Sequence, residues 1–137
     1  MIIVSACLAG IPCRWDGGMK SDERVMRLVR EGKALPLCPE QLGGLATPRE
    51  PAEIRAGRVF SKSGADLTAQ FQRGAEIVWE TARQYGCSEA ILKARSPSCG
   101  SGRIYDGSFS ATLVDGDGLT ARLLKKKGIL VRTEDEL

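Results

Sequence analysis

The stretch Lys93-Ala-Arg-Ser-Pro-Ser-Cys-Gly-Ser-Gly102 decides how the rest of the chain is interpreted. It overlaps the end of an apolar run over residues 89–94, whose length and flanking residues are typical of a buried strand. Pro97 and the glycines that follow end any regular element and require a turn. Cys99 lies within that turn, between small hydroxyl residues. Because α/β proteins carry their chemistry on loops that follow strands, this loop is the first candidate site.

Length and composition predict an ordinary soluble protein with one domain over residues 1–137. Hydrophobic residues make up 42% of the chain and charged residues 27%, as in typical globular proteins. No apolar run approaches the roughly 20 residues that a membrane span needs. The N-terminus lacks the basic region of a signal peptide, so we expect a cytoplasmic protein without a membrane partner. A net charge of +3 is too small to indicate nucleic-acid binding.

The chain has no histidine and five cysteines, and both counts limit its chemistry. Without histidine, the usual general base and the usual nitrogen ligand for metals are missing. Cysteines in a reducing cytoplasm are poor candidates for disulfides, and an odd number leaves at least one unpaired. Core packing, thiol chemistry and thiolate ligation of a soft metal are therefore the uses to weigh.

Hydrophobic periodicity predicts strands and helices in alternation. The predicted strands cover residues 2–6, 34–37, 89–94 and 129–131. The predicted helices begin at Ser21, Leu67 and Asp117, and Asp117 is expected to cap the last one. Proline cannot donate a hydrogen bond within a sheet, so Pro36 indicates that its strand lies at an edge or is very short. Residues 54–65 suggest a small hairpin and residues 104–114 contain an extended segment.

The longest predicted helix, over residues 67–85, carries the clearest amphipathic pattern. One apolar stripe contains residues at spacings of three and four, namely Phe71, Ala75, Val78, Ala82 and Tyr85. Strand and helix alternation of this kind predicts a mainly parallel sheet with helices on its faces. The fold class is therefore α/β, a Rossmann-like domain of three layers.

Three cysteines follow predicted strands in this arrangement. Cys7, Cys38 and Cys99 each lie just beyond the carboxyl end of a strand, in a loop rich in proline or glycine. The carboxyl ends of parallel strands share one edge of the sheet, where ligands bind. We therefore expect these three thiols to converge, although no CxxC pair supports a metal site by spacing alone. Cys87 is interpreted as a core residue, and Cys13 has no strand end of its own.

The residues alone leave two candidates for the metal group that three thiolates would hold. Zinc in structural sites takes four ligands and usually includes a closely spaced pair, which this chain lacks. A [4Fe–4S] cluster is normally held by four thiolates, so three would leave one iron open to a substrate atom. Catalytic zinc on three thiolates is uncommon but known, so a cluster and zinc both stay open on the residues alone.

Polar residues near these cysteines complete the candidate site. Glu40 follows Cys38 and is a candidate proton carrier, since no histidine is present. Ser96 and Ser98 are candidate catalytic residues, although serines in a turn also satisfy backbone amides. Candidate substrate-binding residues are Arg49, Lys93 and Ser101.

Five segments together resemble the DUF523 family, whose relatives include thiouracil desulfidases. They are Ser5-Ala-Cys7-Leu-Ala-Gly10, Arg14-Trp-Asp-Gly17, Cys38-Pro-Glu-Gln-Leu-Gly-Gly-Leu-Ala-Thr-Pro-Arg49, Leu92-Lys-Ala-Arg-Ser-Pro-Ser-Cys-Gly100 and Ile104-Tyr-Asp-Gly107. The resemblance covers nearly the whole chain. It implies a [4Fe–4S] cluster on the three cysteines that match Cys7, Cys38 and Cys99. Trp15 stands where the family usually has tyrosine.

The resemblance also implies a reaction. The open iron would bind the sulfur of a thiolated pyrimidine, and water assisted by Glu40 would replace that sulfur without redox chemistry, releasing hydrogen sulfide. The expected substrate is a thiolated base or nucleoside, and a thiolated RNA is a further option. A non-catalytic module that uses the same cysteines to bind a metal or sulfur is the alternative from another class. A small protein with reactive thiols and no cofactor is a third.

Overall fold

Four parallel strands form the central sheet of the protein, which the computed structural model describes over residues 1–137. The eight strands of the chain are β1 (Ile2–Ser5), β2 (Ala34–Leu37), β3 (Ala52–Arg55), β4 (Arg58–Ser61), β5 (Glu89–Leu92), β6 (Arg103–Tyr105), β7 (Leu113–Asp115) and β8 (Leu130–Thr133). The helices are α1 (Glu23–Arg30), α2 (Pro39–Leu42), α3 (Thr68–Gln84) and α4 (Leu119–Lys126), with 3-10 turns at Ala6–Ala9 and Glu134–Glu136. The order in the main sheet is β2-β1-β5-β8. This confirms the predicted α/β fold with a mainly parallel sheet.

Alternation along the strands separates two hydrophobic clusters, one on each face of the sheet. Ile3 and Leu92 point to the face covered by α3 and α4, where they pack with Val78 and Leu124. Their neighbours Val4 and Ile91 point to the opposite face, together with Val25 of α1. Sheet and helices therefore form the three layers that the sequence predicted.

The strand that contains Pro36 lies at the edge of the sheet, as predicted. β2 pairs only with β1, and Pro36 lies opposite Val4 in that pairing. An edge strand needs hydrogen-bond donors on one side only, so a residue without an N–H is tolerated there. The direction of chain progress reverses at β1, since β2 lies on one side of it and β5 on the other. Crevices at such a reversal are the usual ligand sites of open α/β sheets.

The first and longest helices differ from their predicted bounds by a few residues. α1 begins at Glu23 because Asp22, rather than Ser21, provides the cap: its carboxylate accepts a hydrogen bond of 2.9 Å from the Arg24 amide. In α3 the predicted stripe is buried except for Tyr85, which is 59% exposed. Tyr85 follows the last residue of the helix, so its side chain does not continue the buried face of α3.

Asp117 was expected to cap α4, and that expectation is wrong. Gly118 is the capping residue and no side chain caps the helix. Instead, the first amides of α4 donate to backbone carbonyls in the Cys99 loop. These bonds join Gly118 to Gly100 (2.7 Å), Leu119 to Pro97 (3.0 Å), Thr120 to Ser98 (2.9 Å) and Ala121 to Ser98 (3.2 Å). The Asp117 carboxylate accepts from the Gly102 amide at 2.8 Å, so it supports the same loop.

The remaining elements lie outside the main sheet. β3 and β4 form the predicted hairpin, which begins two residues before the predicted range 54–65, and β6 pairs with β7 in a second hairpin. Sequence periodicity missed α2, whose four residues are too few to show a helical pattern. α2 packs with its backbone against α3: a Cβ on Gly74 would lie 1.9 Å from the Pro39 carbonyl oxygen. None of the helices has the length and apolar character that crossing a membrane requires.

Candidate functional site

A cavity of about 450 Å³ lies at the carboxyl ends of β1, β2 and β5. The three cysteines predicted to converge, Cys7, Cys38 and Cys99, all line this cavity. Cys13, which has no strand end of its own, lines it as well. Cys7 lies in the 3-10 turn after β1, Cys38 directly precedes α2, and Cys99 lies in the turn after β5. Parallel strands thus bring together residues that are up to 92 positions apart, from Cys7 to Cys99.

The cysteines reach the cavity from both faces of the sheet. Cys7 and Cys13 belong to the cluster beneath α1, and Cys38 packs against that cluster. Cys99 belongs to the cluster beneath α3 and α4. The cavity therefore straddles the sheet edge, and a group bound there would be held by both halves of the core.

Cys13 connects two of the other thiols. It packs in one cluster with Cys7, and Cys38 packs against that cluster. The contact with Cys38 lowers the pKa of Cys13, but the hydrogen bond with Cys7 and burial outweigh it and raise that pKa to about 11. The hydrogen bond with Cys13, followed by burial, raises the pKa of Cys38 well above its ordinary value. Burial raises the pKa of Cys99 to about 12.

Buried thiols with raised pKa values fit a metal group that supplies positive charge. A metal deprotonates the thiols that coordinate it, and binding releases their protons. No group of three or more His, Cys, Asp or Glu side chains is arranged to hold one metal ion. Four thiols line the cavity, but they do not surround one point at bonding distance. Such a spread donor set suits an iron–sulfur cluster, which is larger, better than a single zinc ion, whose four ligands lie about 2.0–2.3 Å from the metal.

Glu40 and Arg49 form a partly buried ion pair on the cavity wall. Arg49 Nε lies 3.3 Å from Glu40 Oε1, and only 9% of the arginine side chain is exposed. The guanidinium also donates to the Cys13 carbonyl oxygen at 3.0 Å and to the Thr47 hydroxyl at 3.0 Å. Burial raises the pKa of Glu40, and the nearby charge of Arg49 offsets part of that rise. Arg49 therefore fixes the carboxylate beside the thiols.

Lys93 lines the cavity from the end of β5. Its ammonium group lies 2.9 Å from Glu134 Oε2, and its backbone amide donates to the Ser5 hydroxyl at 2.9 Å. Glu134 Oε1 accepts a further bond of 2.7 Å from the Ala94 amide. These bonds fix the point where the chain leaves β5 for the Cys99 turn.

The three candidate serines lie in different environments. Ser96 lines the cavity, and its hydroxyl accepts hydrogen bonds from the amides of Ser98 (3.1 Å) and Cys99 (3.0 Å). Ser98 is fully buried, and its hydroxyl pairs with that of Thr120 at 2.8 Å. Neither Ser98 nor Ser101 is part of the cavity lining. The structure therefore brings only Ser96 to the site.

Several cavity residues were not singled out as site residues from the sequence. These are Ser5, Arg14, Trp15, Lys20, Glu53 and Tyr105. The Ser5 hydroxyl hydrogen-bonds to the Cys99 thiol. Trp15 is 42% exposed. In the sequence, a tryptophan within a glycine-rich loop is the signal that could have indicated it as a site residue. Cys87, by contrast, packs in the core cluster beneath α3 and α4, as its sequence context indicated.

Comparison with known proteins gives a consistent result. A family model described as 2-thiouracil desulfurase matches residues 2–136. The uncharacterized protein YbbK of Bacillus subtilis (strain 168) is 46% identical over 147 aligned positions, which cover 100% of this chain and 97% of YbbK. A solved structure of the [4Fe-4S]-dependent thiouracil desulfidase TudS superposes with a TM-score of 0.95 at 49% identity. That match covers 99% of this chain and 91% of the TudS chain. The chain belongs to the 2-thiouracil desulfurase family, DUF523.

Proposed function

We propose that this protein is a [4Fe–4S]-dependent desulfidase that removes sulfur from thiolated pyrimidine bases or nucleosides. The observation that carries the proposal is the convergence of three strand-end thiols, together with a partly buried carboxylate, on one cavity. The solved structure of TudS, a [4Fe-4S]-dependent thiouracil desulfidase, supports it through the same fold at 49% identity.

Cys7, Cys38 and Cys99 are the proposed ligands. When bound to three thiolates, the cluster would supply one open iron that acts as a Lewis acid on the thiocarbonyl group. The overall change is hydrolysis: water supplies the oxygen that replaces sulfur on carbon, and sulfur leaves as hydrogen sulfide. Carbon keeps its oxidation level, so no external reductant is consumed.

Glu40 is the proposed proton carrier. The mechanism requires a group that takes a proton from the attacking water and returns protons to the departing sulfur. Glu40 lies on the cavity wall in a chain without histidine, and burial raises its pKa above the ordinary value of a carboxyl group. Arg49 holds this carboxylate in place through Nε.

Lys93, Ser96 and Arg49 are the proposed polar contacts for the substrate. All three line the cavity, and the ammonium and guanidinium groups can donate to pyrimidine carbonyl oxygens. Ser98 and Ser101 are left out of the proposal, because neither lines the cavity. We assign Ser98 to packing between the Cys99 loop and α4, through its bond with Thr120.

An anaerobic sulfide-release assay tests the proposal. Protein reconstituted with iron and sulfide should carry about four irons per chain. It should release sulfide from 2-thiouracil, 4-thiouracil or their nucleosides without added reductant, and thiolated RNA should be assayed beside them. Glu40→Gln should keep its iron and lose a factor of about 10²–10⁴ in turnover, because an amide cannot carry the proton.

Glu50→Gln is the matched control, since Glu50 lies in the same segment but hydrogen-bonds to Ser63 outside the cavity. It should turn over like the wild type. A protein that carries its cluster and releases no sulfide from any of these compounds would favour the non-catalytic module. Stoichiometric zinc without iron uptake would contradict the cluster itself.

A further inference from the structure

Cys13 is the cavity thiol to which the proposed reaction gives no role. It is 2% exposed and lies in the loop between β1 and α1, six residues after Cys7. It packs in one cluster with two proposed ligands, Cys7 and Cys38, and Cys38 Sγ lies 3.8 Å from its carbonyl oxygen. A buried cysteine that only filled space would need no such contacts, since Cys87 packs among apolar side chains.

The backbone of Cys13 is held in place from three directions. Its carbonyl oxygen accepts from Arg49 Nη2 at 3.0 Å and from the Cys38 thiol at 3.8 Å. Its amide donates to the Ile11 carbonyl oxygen at 2.8 Å. The same arginine that holds Glu40 therefore also fixes the backbone of Cys13.

The place of the Cys13 side chain, beside two proposed ligand sulfurs, suits a hydrogen-bond donor. A ligating thiolate carries negative charge and still has lone pairs that accept hydrogen bonds. The Cys13 side chain is close to two such atoms, so an S–H at this position can donate to either of them. Hydrogen bonds to the sulfurs of an iron–sulfur cluster stabilise its more reduced states and raise its reduction potential.

We propose that Cys13 is a positioning residue that binds no iron and donates an S–H hydrogen bond to a ligand sulfur of Cys7 or Cys38. The inference rests on the proposed function, because it requires the cluster. A higher reduction potential makes the cluster harder to oxidise. Cys13 therefore protects a cluster whose open iron is accessible to oxidants from the cavity.

Three substitutions separate hydrogen bonding from ligation. Cys13→Val keeps a similar volume without a donor, Cys13→Ala removes the side chain, and Cys13→Ser restores a donor. All three should retain about four irons per chain. In a redox titration followed by electron paramagnetic resonance, Cys13→Val and Cys13→Ala should shift the midpoint to more negative potential and lose cluster absorbance faster in air. Cys13→Ser should remain nearer to the wild type.

Cys87→Ala is the control for removing a buried thiol outside the cavity, and it should leave the midpoint unchanged. Equal midpoints in wild type and all three Cys13 variants would overturn the hydrogen bond. Iron loss in Cys13→Ala and Cys13→Ser alike, in variants with normal thermal melting, would make Cys13 a ligand and also overturn the inference. Failure of the wild type to take up iron would instead overturn the proposed function, and the inference with it. Shifted midpoints in a wild-type-like cluster that releases no sulfide would leave the inference standing and remove only the desulfidase activity.

Discussion

Cys7, Cys38 and Cys99 differ from Cys87 in surroundings rather than in residue type. The first three line the cavity, whereas Cys87 packs beside Ala82 and Ile129 in the core cluster. Serine at any of the three should abolish stable cluster binding, because a hydroxyl is a harder and much less acidic ligand than a thiol. Iron and sulfide analysis after anaerobic reconstitution measures the effect.

Cys87→Ser is the matched control for this series and should keep its iron. A Cys99→Ser protein with full cluster content would contradict the proposed ligand set. Both results can be read from the same preparation by the visible absorbance of the cluster.

The ionisation of Asp66 should make the stability of the folded protein depend on pH. Its carboxylate accepts from the Thr68 amide at 3.0 Å and from Arg58 Nε at 2.8 Å. The hydrogen bonds from Thr68, followed by that from Arg58, lower the pKa of Asp66 from 3.8 to about 2. A carboxyl whose pKa is lower in the folded state stabilises the fold above its unfolded pKa, and that contribution is lost as the pH falls.

Asp66→Asn should therefore be less stable than the wild type at pH 7. The difference should shrink as the pH falls from about 4 to about 2, the interval between the two pKa values. Urea unfolding at several pH values measures it. A difference that stayed constant across this interval would show that the charge of Asp66 is not the cause.

At the scale of elements, the contact between α2 and α3 fixes the position of Glu40. A Cβ on Gly74 would lie 1.9 Å from the Pro39 carbonyl oxygen, and one on Gly43 would lie 2.0 Å from that of Gln70. Both helices therefore approach backbone to backbone. α2 follows Cys38 directly and carries Glu40 in its first turn, so the contact sets the place of one proposed ligand and of the proposed proton carrier.

Gly74→Ala should move α2 away from α3. The expected cost in stability is about 1–3 kcal/mol, as for other overpacked sites, and cluster retention and turnover should both fall. Gln72→Ala, at an exposed position of α3, is the control and should change neither. Chemical unfolding and iron content measure the two effects, and a fully active Gly74→Ala protein would contradict the positioning role of this contact.

At the scale of the whole molecule, the sequence predicted the layers and the place of the thiols. Alternating strands and helices imply a parallel sheet, and parallel strands imply a shared carboxyl edge, so Cys7, Cys38 and Cys99 could be placed together without coordinates. The edge position of β2 followed from Pro36 for an equally local reason. The strands, the helices and the effect of Pro36 can each be predicted from the residues of a single segment.

Features that depend on two distant segments could not be predicted in the same way. Asp117 has the residue type of a helix cap, but carbonyls of the Cys99 loop already occupy the amides of α4. The hydroxyl of Ser98 is likewise taken by Thr120, which is 22 residues away. Tyr85 keeps the spacing of the buried stripe although the helix has ended. For Asp117 and Ser98 a tertiary contact decided between structures that the local pattern allowed equally, whereas for Tyr85 the end of the helix decided.

The bonds between the Cys99 loop and α4 have a consequence for biosynthesis. The four amides of residues 118–121 donate to the carbonyls of Pro97, Ser98 and Gly100, so the turn around Cys99 obtains these partners only after α4 has been made. A nascent chain that ends shortly after Cys99 therefore lacks the backbone partners that hold this turn against α4. The proposed cluster site is consequently complete only after translation has passed α4.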